Sequence, residues 1–386
     1  VTDTDVPSPL TAVASDAPDG VRVVPVPTPA SLDAPDAWLL HGLTAAMNEV
    51  VEHETGLRDH AVSPLEVLAR LQQVVHHRRV RLVALADDPT DRPDPARVLG
   101  YATAELPLTD NTTAAALDLG VRPGHRGRAI GEALHVALLE AVVAEGRTVL
   151  MVSTDQRDEP GDGPDALAPP TGSGHVRRSS PGVRFALAHG YVLEQVARYS
   201  ALDLPVPDEL LTRLHDEARA AAGPDYRVVA WDGPCPDRWL DDLAVLYSRM
   251  STDDPSAGLQ IEEERWDRAR IRVAEAQWER AGRLARTVAA EHVPTGRLVA
   301  FTTVITRGEE PVAEQEDTLV LAEHRGRRLG MLVKTEQLLG LARERPSVRR
   351  IGTWNAEENR FMLGINVALG FRPAGGSGEW QRILPS

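Results

Sequence analysis

His125-Arg126-Gly127-Arg128-Ala129-Ile130-Gly131 returns, barely altered, as His324-Arg325-Gly326-Arg327-Arg328-Leu329-Gly330, 199 residues further along the chain. Each copy ends an apolar run, Ala115 to Val121 in the first and Thr318 to Ala322 in the second, and opens an amphipathic one. A strand, a basic glycine-containing turn and a helix make a cradle for an anion. Free backbone N–H groups and the positive end of the helix dipole both point at the turn. Two such turns in matching places of two half-chains predict a duplicated domain built around a phosphate-bearing ligand.

The elements around the two turns follow one order. In the first half a strand over Val21–Val26 precedes helices over Trp38–Glu52 and Pro64–Val75, and then a hairpin of Arg79–Leu85 and Arg97–Glu105. The strand into Val121, the turn, a helix ending near Gly146 and a strand over Thr148–Ser153 complete it. A Gly/Pro/Asp/Ser-rich insertion, Gln156–Pro181, reads as a mobile excursion. A short helix over Val183–His189 and a strand over Tyr191–Leu202 close the half, and Pro205–Ala222 reads as a joining helix. The second half repeats the order with a strand over Arg227–Ala230, helices over Arg238–Met250 and Glu262–Ala281, and a hairpin of Leu284–Glu291 and Arg297–Arg307. Strand Glu314–Leu321, the turn, helix Arg327–Arg343, strand Val348–Trp354, helix Glu357–Leu369 and a strand over Glu379–Leu384 follow. The expected domains are a flexible leader over 1–20, a first domain over 21–204, a linker helix over 205–225 and a second domain over 226–386.

Length and composition agree with this layout. A chain of 386 residues with 42% hydrophobic content supports two cored domains. No apolar run reaches the roughly 20 residues that span a bilayer. The leader lacks the basic and apolar regions of a signal peptide, and Cys235 is the single cysteine. These features point to a cytoplasmic location, no membrane partner and no thiolate metal cluster. A net charge of −15 argues against nucleic acid, whose phosphates demand a basic face, and suits a cationic acceptor such as an amine. Of the 42 basic residues only Lys334 is a lysine; one helical turn past Gly330, it is a candidate phosphate contact.

The pattern resembles the GCN5-related N-acetyltransferase (GNAT) superfamily in a tandem two-domain form. The resemblance covers Val21–Leu202 and Tyr226–Leu384, with its specific core in Asp317–Gly330 and Thr353–Pro373. It implies an α/β fold of two domains, each a twisted, mostly antiparallel mixed sheet flanked by helices. In that family the acyl-CoA pyrophosphate sits on a turn of the form Arg/Gln-x-x-Gly-x-Gly/Ala. The matching residues are Arg126, Ala129 and Gly131, then Arg325, Arg328 and Gly330, so both copies lack the first glycine. The main-chain donors survive that change if Ala129 and Arg328 stay at φ < 0. The resemblance implies acetyl-CoA as co-substrate and no metal. Its cradle is Leu319, Val320, Leu321, Arg325, Gly326, Arg327, Arg328, Leu329 and Gly330, with Arg126, Gly127 and Gly131 as the first-half copy. The family's pantetheine arm enters where a strand splays from its neighbour, here at Trp354-Asn355-Ala356-Glu357-Glu358-Asn359. Asn355 and Asn359 either bond the amides of that arm or cap the following helix.

Acetyl transfer from a thioester to an amine needs a neutral amine, a backbone donor for the carbonyl and a proton for the thiolate. Many family members use a Tyr four residues before the Gly of a Gly-Phe pair as the acid; here that position is Asn366, and Ala186 in the first half. Asn366 donates a hydrogen bond at most. Glu316 and Asp317 open the strand into the second turn, and strand alternation lets only one face the cleft, with Glu316 favoured. The first half offers Thr112 and Thr113 in the comparable stretch and no carboxylate before Asp118. The expected function is therefore acetyl-CoA-dependent N-acetylation of a small amine, catalysed by the second half, in a monomer or homodimer. The alternatives are another acyl donor or acceptor, a catalytically silent acyl-CoA-binding sensor or scaffold, and a pair of turns that merely cap helices.

Overall fold

The computed structural model describes residues 17–88, 90 and 92–385, so the expected leader lies, except for 17–20, outside the described residues. Contacts divide the chain into two compact units, one of residues 1–153 with 381–386 and one of residues 154–380.

In the first unit β1 (Val21–Pro25), β2 (His77–Ala86), β3 (Val98–Pro107), β4 (Ala114–Val121) and β5 (Val149–Gln156) lie side by side in that order. The first four are antiparallel, and β4 and β5 are parallel, as a helical crossover requires. Helices α1 (Trp38–Thr55) and α2 (Pro64–Gln72) lie between β1 and β2, and α3 (Ile130–Ala144) between β4 and β5. α1 stops at Gly56, whose φ of 74° is the left-handed form that suits glycine at a helix end. α2 starts on a capping box in which Ser63 and Glu66 bond each other's backbone. Leu40, Leu43 and Leu68 on these helices pack against Val83, Leu85 and Tyr101 of the sheet.

The second unit begins with the insertion, which is not the expected mobile excursion. β6 (Ala166–Leu167) and β7 (Val176–Arg177) pair antiparallel, Val176 is buried, and the Gln156 side chain holds His175 and Arg177. Polar composition hides a segment that satisfies its backbone through its own side chains. Then follow α4 (Pro181–Ala188), β8 (Val192–Asp203), α5 (Asp208–Ala222), β9 (Tyr226–Asp232), α6 (Leu240–Asp253), α7 (Arg268–Arg280), β10 (Arg283–His292) and β11 (Arg297–Arg307). The chain continues through β12 (Val312–Val320), α8 (Leu329–Glu344), β13 (Arg350–Ala356), α9 (Arg360–Leu369) and β14 (Arg372–Ile383). The strand order is β14-β8-β13-β12-β11-β10-β9.

The compact units cut across the sequence repeat. β8, the last strand of the first repeat, lies in the second unit and runs antiparallel to β13 from Asp203↔Arg350 to Ala197↔Ala356. The segment between the repeats is also more than a tether: Leu211, Leu214, Ala218 and Ala222 of α5 join the core of the second unit with Leu332, Val333 and Leu341 of α8. On the opposite face α6 and α7 place Leu240, Leu243, Leu246 and Ile271 against Phe301 and Leu319. Each such leucine contributes roughly 1.5–3 kcal/mol by leaving water. α7 starts at Arg268 and not Glu262, because Asp267 caps it and the hydroxyls of Ser251 and Ser248 bind Glu264 N and Trp266 N.

Candidate active site

The parallel pair β12–β13 is in register only from Val312↔Arg350 to Glu314↔Gly352. Beyond that point the two strands separate, so the edge of β12 from Gln315 to Val320 faces an open V. A free strand edge offers unpaired N–H and C=O groups to an extended ligand. The Val299–Leu321 main-chain bond of 2.9 Å fixes which residues face it. Leu319 and Leu321 turn their main chains toward β11, and Val320, set between them, faces the V. The Val320 carbonyl is taken by Arg325 Nε at 3.1 Å, which leaves its N–H as the donor at this level.

At the mouth of the V the two basic turns have one geometry. Gly326 and Arg328 have φ of 80° and 56°; Gly127 and Ala129 have 74° and 60°. Ala129 and Arg328 therefore do not stay at φ < 0: the turn keeps the left-handed backbone of a glycine under another side chain. Neither α3 nor α8 has a side-chain cap, so first-turn N–H groups, including those of Leu329 and Gly330, stay available to an anion. A Cβ at Gly330 would stand 3.2 Å from the Ile365 Cδ1 methyl, a tight contact, and an ordinary 3.7 Å from Val320.

The arginines divide into latches and one candidate phosphate ligand. Arg325 bonds Asp253 at the end of α6 at 2.6 Å as well as Val320. Arg126 does the same in the first unit, with Val121 O at 3.0 Å and Glu54 of α1 at 2.7 Å. Arg328 pairs with Glu217 at 3.0 Å. Arg327 is exposed, stands 5.6 Å from the centre of the Tyr226 ring, and among the described residues has no carboxylate partner. Lys334 does not face the turn. It is 2% exposed, 5.6 Å from the Phe371 ring, and burial pushes its amine down to about 7.

The acidic pair is reorganised by a bulge. Thr302 pairs with Thr318 and Val304 with Gln315, so Thr303 alone opposes both Glu316 and Asp317. The bulge breaks the strand alternation by which only one of Glu316 and Asp317 would face the cleft. Glu316 is exposed and bound to Arg283 at 2.9 Å. Asp317 is half-buried; burial, then Glu316, Asp254 and Glu264, push its carboxyl up to about 7. Tyr247, stacked on Trp266 with ring centres 4.8 Å apart and edge-on to Phe301, lies on the same side. Burial and then the nearby Asp317 and Glu316 raise its phenol well above the ordinary range. Cys235 is buried and its thiol is pushed up to about 12, chiefly by burial, which removes it as a nucleophile.

Across the V, Asn366 is 1% exposed and donates through Nδ2 to Asn355 Oδ1 at 2.8 Å, while its own Oδ1 has no partner. A buried acceptor without a donor is costly, so this oxygen marks an unfilled hydrogen-bonding position. Asn359 acts as a cap: its side chain accepts from Met362 N at 3.2 Å and donates to Asp254 at 3.1 Å. The first unit has a plainer copy. β4 leaves β5 after Leu117↔Val152, and Asp118, 199 residues before Asp317, stands at the fork with Tyr101 Oη 3.3 Å away. Its register with β3 runs unbroken from Glu105↔Ala116 to Gly100↔Val121, without a bulge. The repeat offset carries that signal: Asp118, read in the sequence only as the first carboxylate after Thr112 and Thr113, is the counterpart of Asp317.

No protein-family model matches the chain, and no curated protein does. Among solved structures it is similar to a tandem GNAT protein from the clavulanic acid biosynthesis pathway, solved without AcCoA. The two are 25% identical with a TM-score of 0.69, over 95% of this chain and 99% of that one. The chain has the fold of a tandem GCN5-related N-acetyltransferase. The chain is also similar in fold to a GCN5-related N-acetyltransferase from Sphaerobacter thermophilus, at 15% identity with a TM-score of 0.57 over 96% of this chain and 98% of that one. Among the described residues no helix of the chain is long and apolar enough to cross a membrane.

Proposed function

We propose that this chain is an acetyl-CoA-dependent N-acetyltransferase that acts on a small-molecule amine by direct attack on the thioester, with the reaction in the second unit. The observation that carries the reading is the coincidence, at one fork of β12 and β13, of a free strand edge, an uncapped helix start and a carboxyl poised near neutrality. The residues fit an acyl-CoA. First-turn N–H groups of α8 and Arg327 suit its pyrophosphate, and the orphaned Asn366 Oδ1 and the Val320 N–H suit its amide-bearing arm. When bound, acetyl-CoA supplies the activated acyl group.

The work of the protein's own groups is to position and to move one proton. Asp317 in its ionised form takes a proton from the ammonium, through a water, and so frees the nitrogen lone pair. The new N–C bond replaces the C–S bond, and the second proton that the nitrogen sheds as it becomes an amide passes through solvent to the departing thiolate. Asn366 supplies no proton to the thiolate, because a carboxamide does not titrate; its Nδ2 bonds Asn355. The same loss of an acid supports a second reading, an acyl-CoA-binding sensor or scaffold without turnover. The predicted cytoplasmic location and a monomeric or dimeric state belong to the proposal on equal terms.

Calorimetric titration of acetyl-CoA into the wild type and the Gly330→Trp and Gly131→Trp variants tests the site, and an amine-library screen tests turnover. Binding lost only in Gly330→Trp, with turnover of an amine, upholds the proposal. Binding without turnover on any amine favours the sensor, and loss only in Gly131→Trp moves the site to the first unit. No binding at all overturns both readings.

A further inference from the structure

Gln315 takes no part in the mechanism above, yet it is tied to three strands. The bulge interrupts the regular ladder between Thr302 and Val304. Gln315 bridges the interruption: its Nε2 donates to the Thr303 carbonyl oxygen at 2.8 Å and to Thr302 Oγ1 at 2.9 Å. Thr302 Oγ1 also meets Thr318 Oγ1 at 2.7 Å, so the residues on either side of the bulge are joined through one threonine. On the other edge Thr353 Oγ1 donates to the Gln315 carbonyl at 3.3 Å, one step past the last β12–β13 pair. Gln315, Thr302, Thr303 and Thr353 are all buried, so water does not compete for these bonds.

We propose that Gln315 is a positioning residue, whose side-chain amide locks the bulge of β12 and thereby holds the Asp317 carboxyl at the mouth of the V. The proposal rests on the reading of Asp317 as the base. Without the amide, the buried Thr303 carbonyl and Thr302 hydroxyl lose the donor that bridges the bulge, and β12 slips one residue back into a regular ladder. A one-residue slip carries each following side chain to the other face of the sheet. Asp317 then leaves its surroundings of Tyr247 on α6, Asp254 just past the end of α6, Glu264 ahead of α7 and Glu316 on its own strand.

Gln315→Met keeps the length and bulk of the side chain without the donor. Its kcat, the KM for acetyl-CoA and the pH profile are measured beside amide exchange of residues 314–320. We expect kcat to fall roughly 10–100-fold with the acetyl-CoA KM within about threefold. The acidic limb is expected to move below about 7 as water reaches Asp317, and amides 316–318 to exchange faster. A merely structural role lowers the melting temperature and leaves the limb and the kcat-to-KM split in place. Thr302→Val, which removes the shared hydroxyl, is expected to act in the same direction more weakly and serves if Gln315→Met does not fold. A folded variant with wild-type kcat, limb and exchange overturns the proposal. An Asp317→Asn control separates the two ideas. If it keeps full rate, the base reading falls, and exchange at 316–318 in Gln315→Met then decides the lock: faster exchange upholds it, unchanged exchange sinks it.

Discussion

Burial and the neighbouring Glu316, Asp254 and Glu264 keep the Asp317 carboxyl protonated up to about 7, whereas the unfolded chain releases that proton near 4. The folded state therefore binds more protons across that window, so its stability falls as pH rises through it, and the penalty is complete above it. In the proposed mechanism activity runs the other way, because only the ionised form takes a proton from the ammonium. Asp317→Asn is expected to raise stability by roughly 1–3 kcal/mol at pH 8, to leave it unchanged at pH 4, and to lower kcat at least about 100-fold. Melting curves at the two pH values beside turnover test this; an active variant without the pH-dependent gain removes the base assignment. Lys334 has the opposite sign. Its amine, pushed down to about 7 by burial, holds fewer protons in the folded state than in the unfolded one up to about 10.5. Stability therefore rises with pH over that interval, and Lys334→Met should flatten the rise and stabilise the protein at pH 7 by about 1–3 kcal/mol in urea unfolding.

The two turns show an element-scale constraint that outlives its usual residue. Ala129 and Arg328 hold left-handed backbone at φ of 60° and 56° where the related motif carries glycine. For an L-residue that form costs about 1–2 kcal/mol, of which glycine's greater unfolded-state entropy offsets roughly half. Ala129→Gly should therefore stabilise the chain by about 0.5–1 kcal/mol, read as a shifted urea midpoint with unchanged slope. A destabilised variant means that the αL turn is not maintained in solution. Sign of φ was not legible in the sequence, since the letters alone pointed to the ordinary form. Strand and helix positions were legible, because period-2 and period-3.6 apolar patterns are local properties. The start of α7 was not: Glu262–Trp266 has helix-forming composition, yet Ser248 and Ser251 on α6 capture its N–H groups. The bulge was illegible for the same reason, since register belongs to a pair of strands and not to one, and with it went the choice between Glu316 and Asp317.

At the scale of the molecule, the repeat of 199 residues declared the duplication, the resemblance supplied the fold, and the offset pairs Asp118 with Asp317. It did not declare where each repeat's last strand goes. Pairing partners are chosen by edge complementarity across the folded chain, and β8 finds β13 rather than a neighbour of its own repeat within the second unit. A boundary drawn from the repeat at residue 226 therefore strips β13 of a partner that spans its whole length, from Arg350 to Ala356. An exposed, unpaired interior edge is an aggregation site, and losing the strand removes on the order of 5 kcal/mol, or 10–20 °C in a unit of this size. A fragment of residues 226–386 is expected to aggregate, or to melt at least that much lower than a fragment of residues 154–386, which retains β8 and α5. Circular dichroism melts and light scattering on the two fragments decide it. Equal stability means that β8 adds nothing to β13, and the repeat boundary is then the physical one.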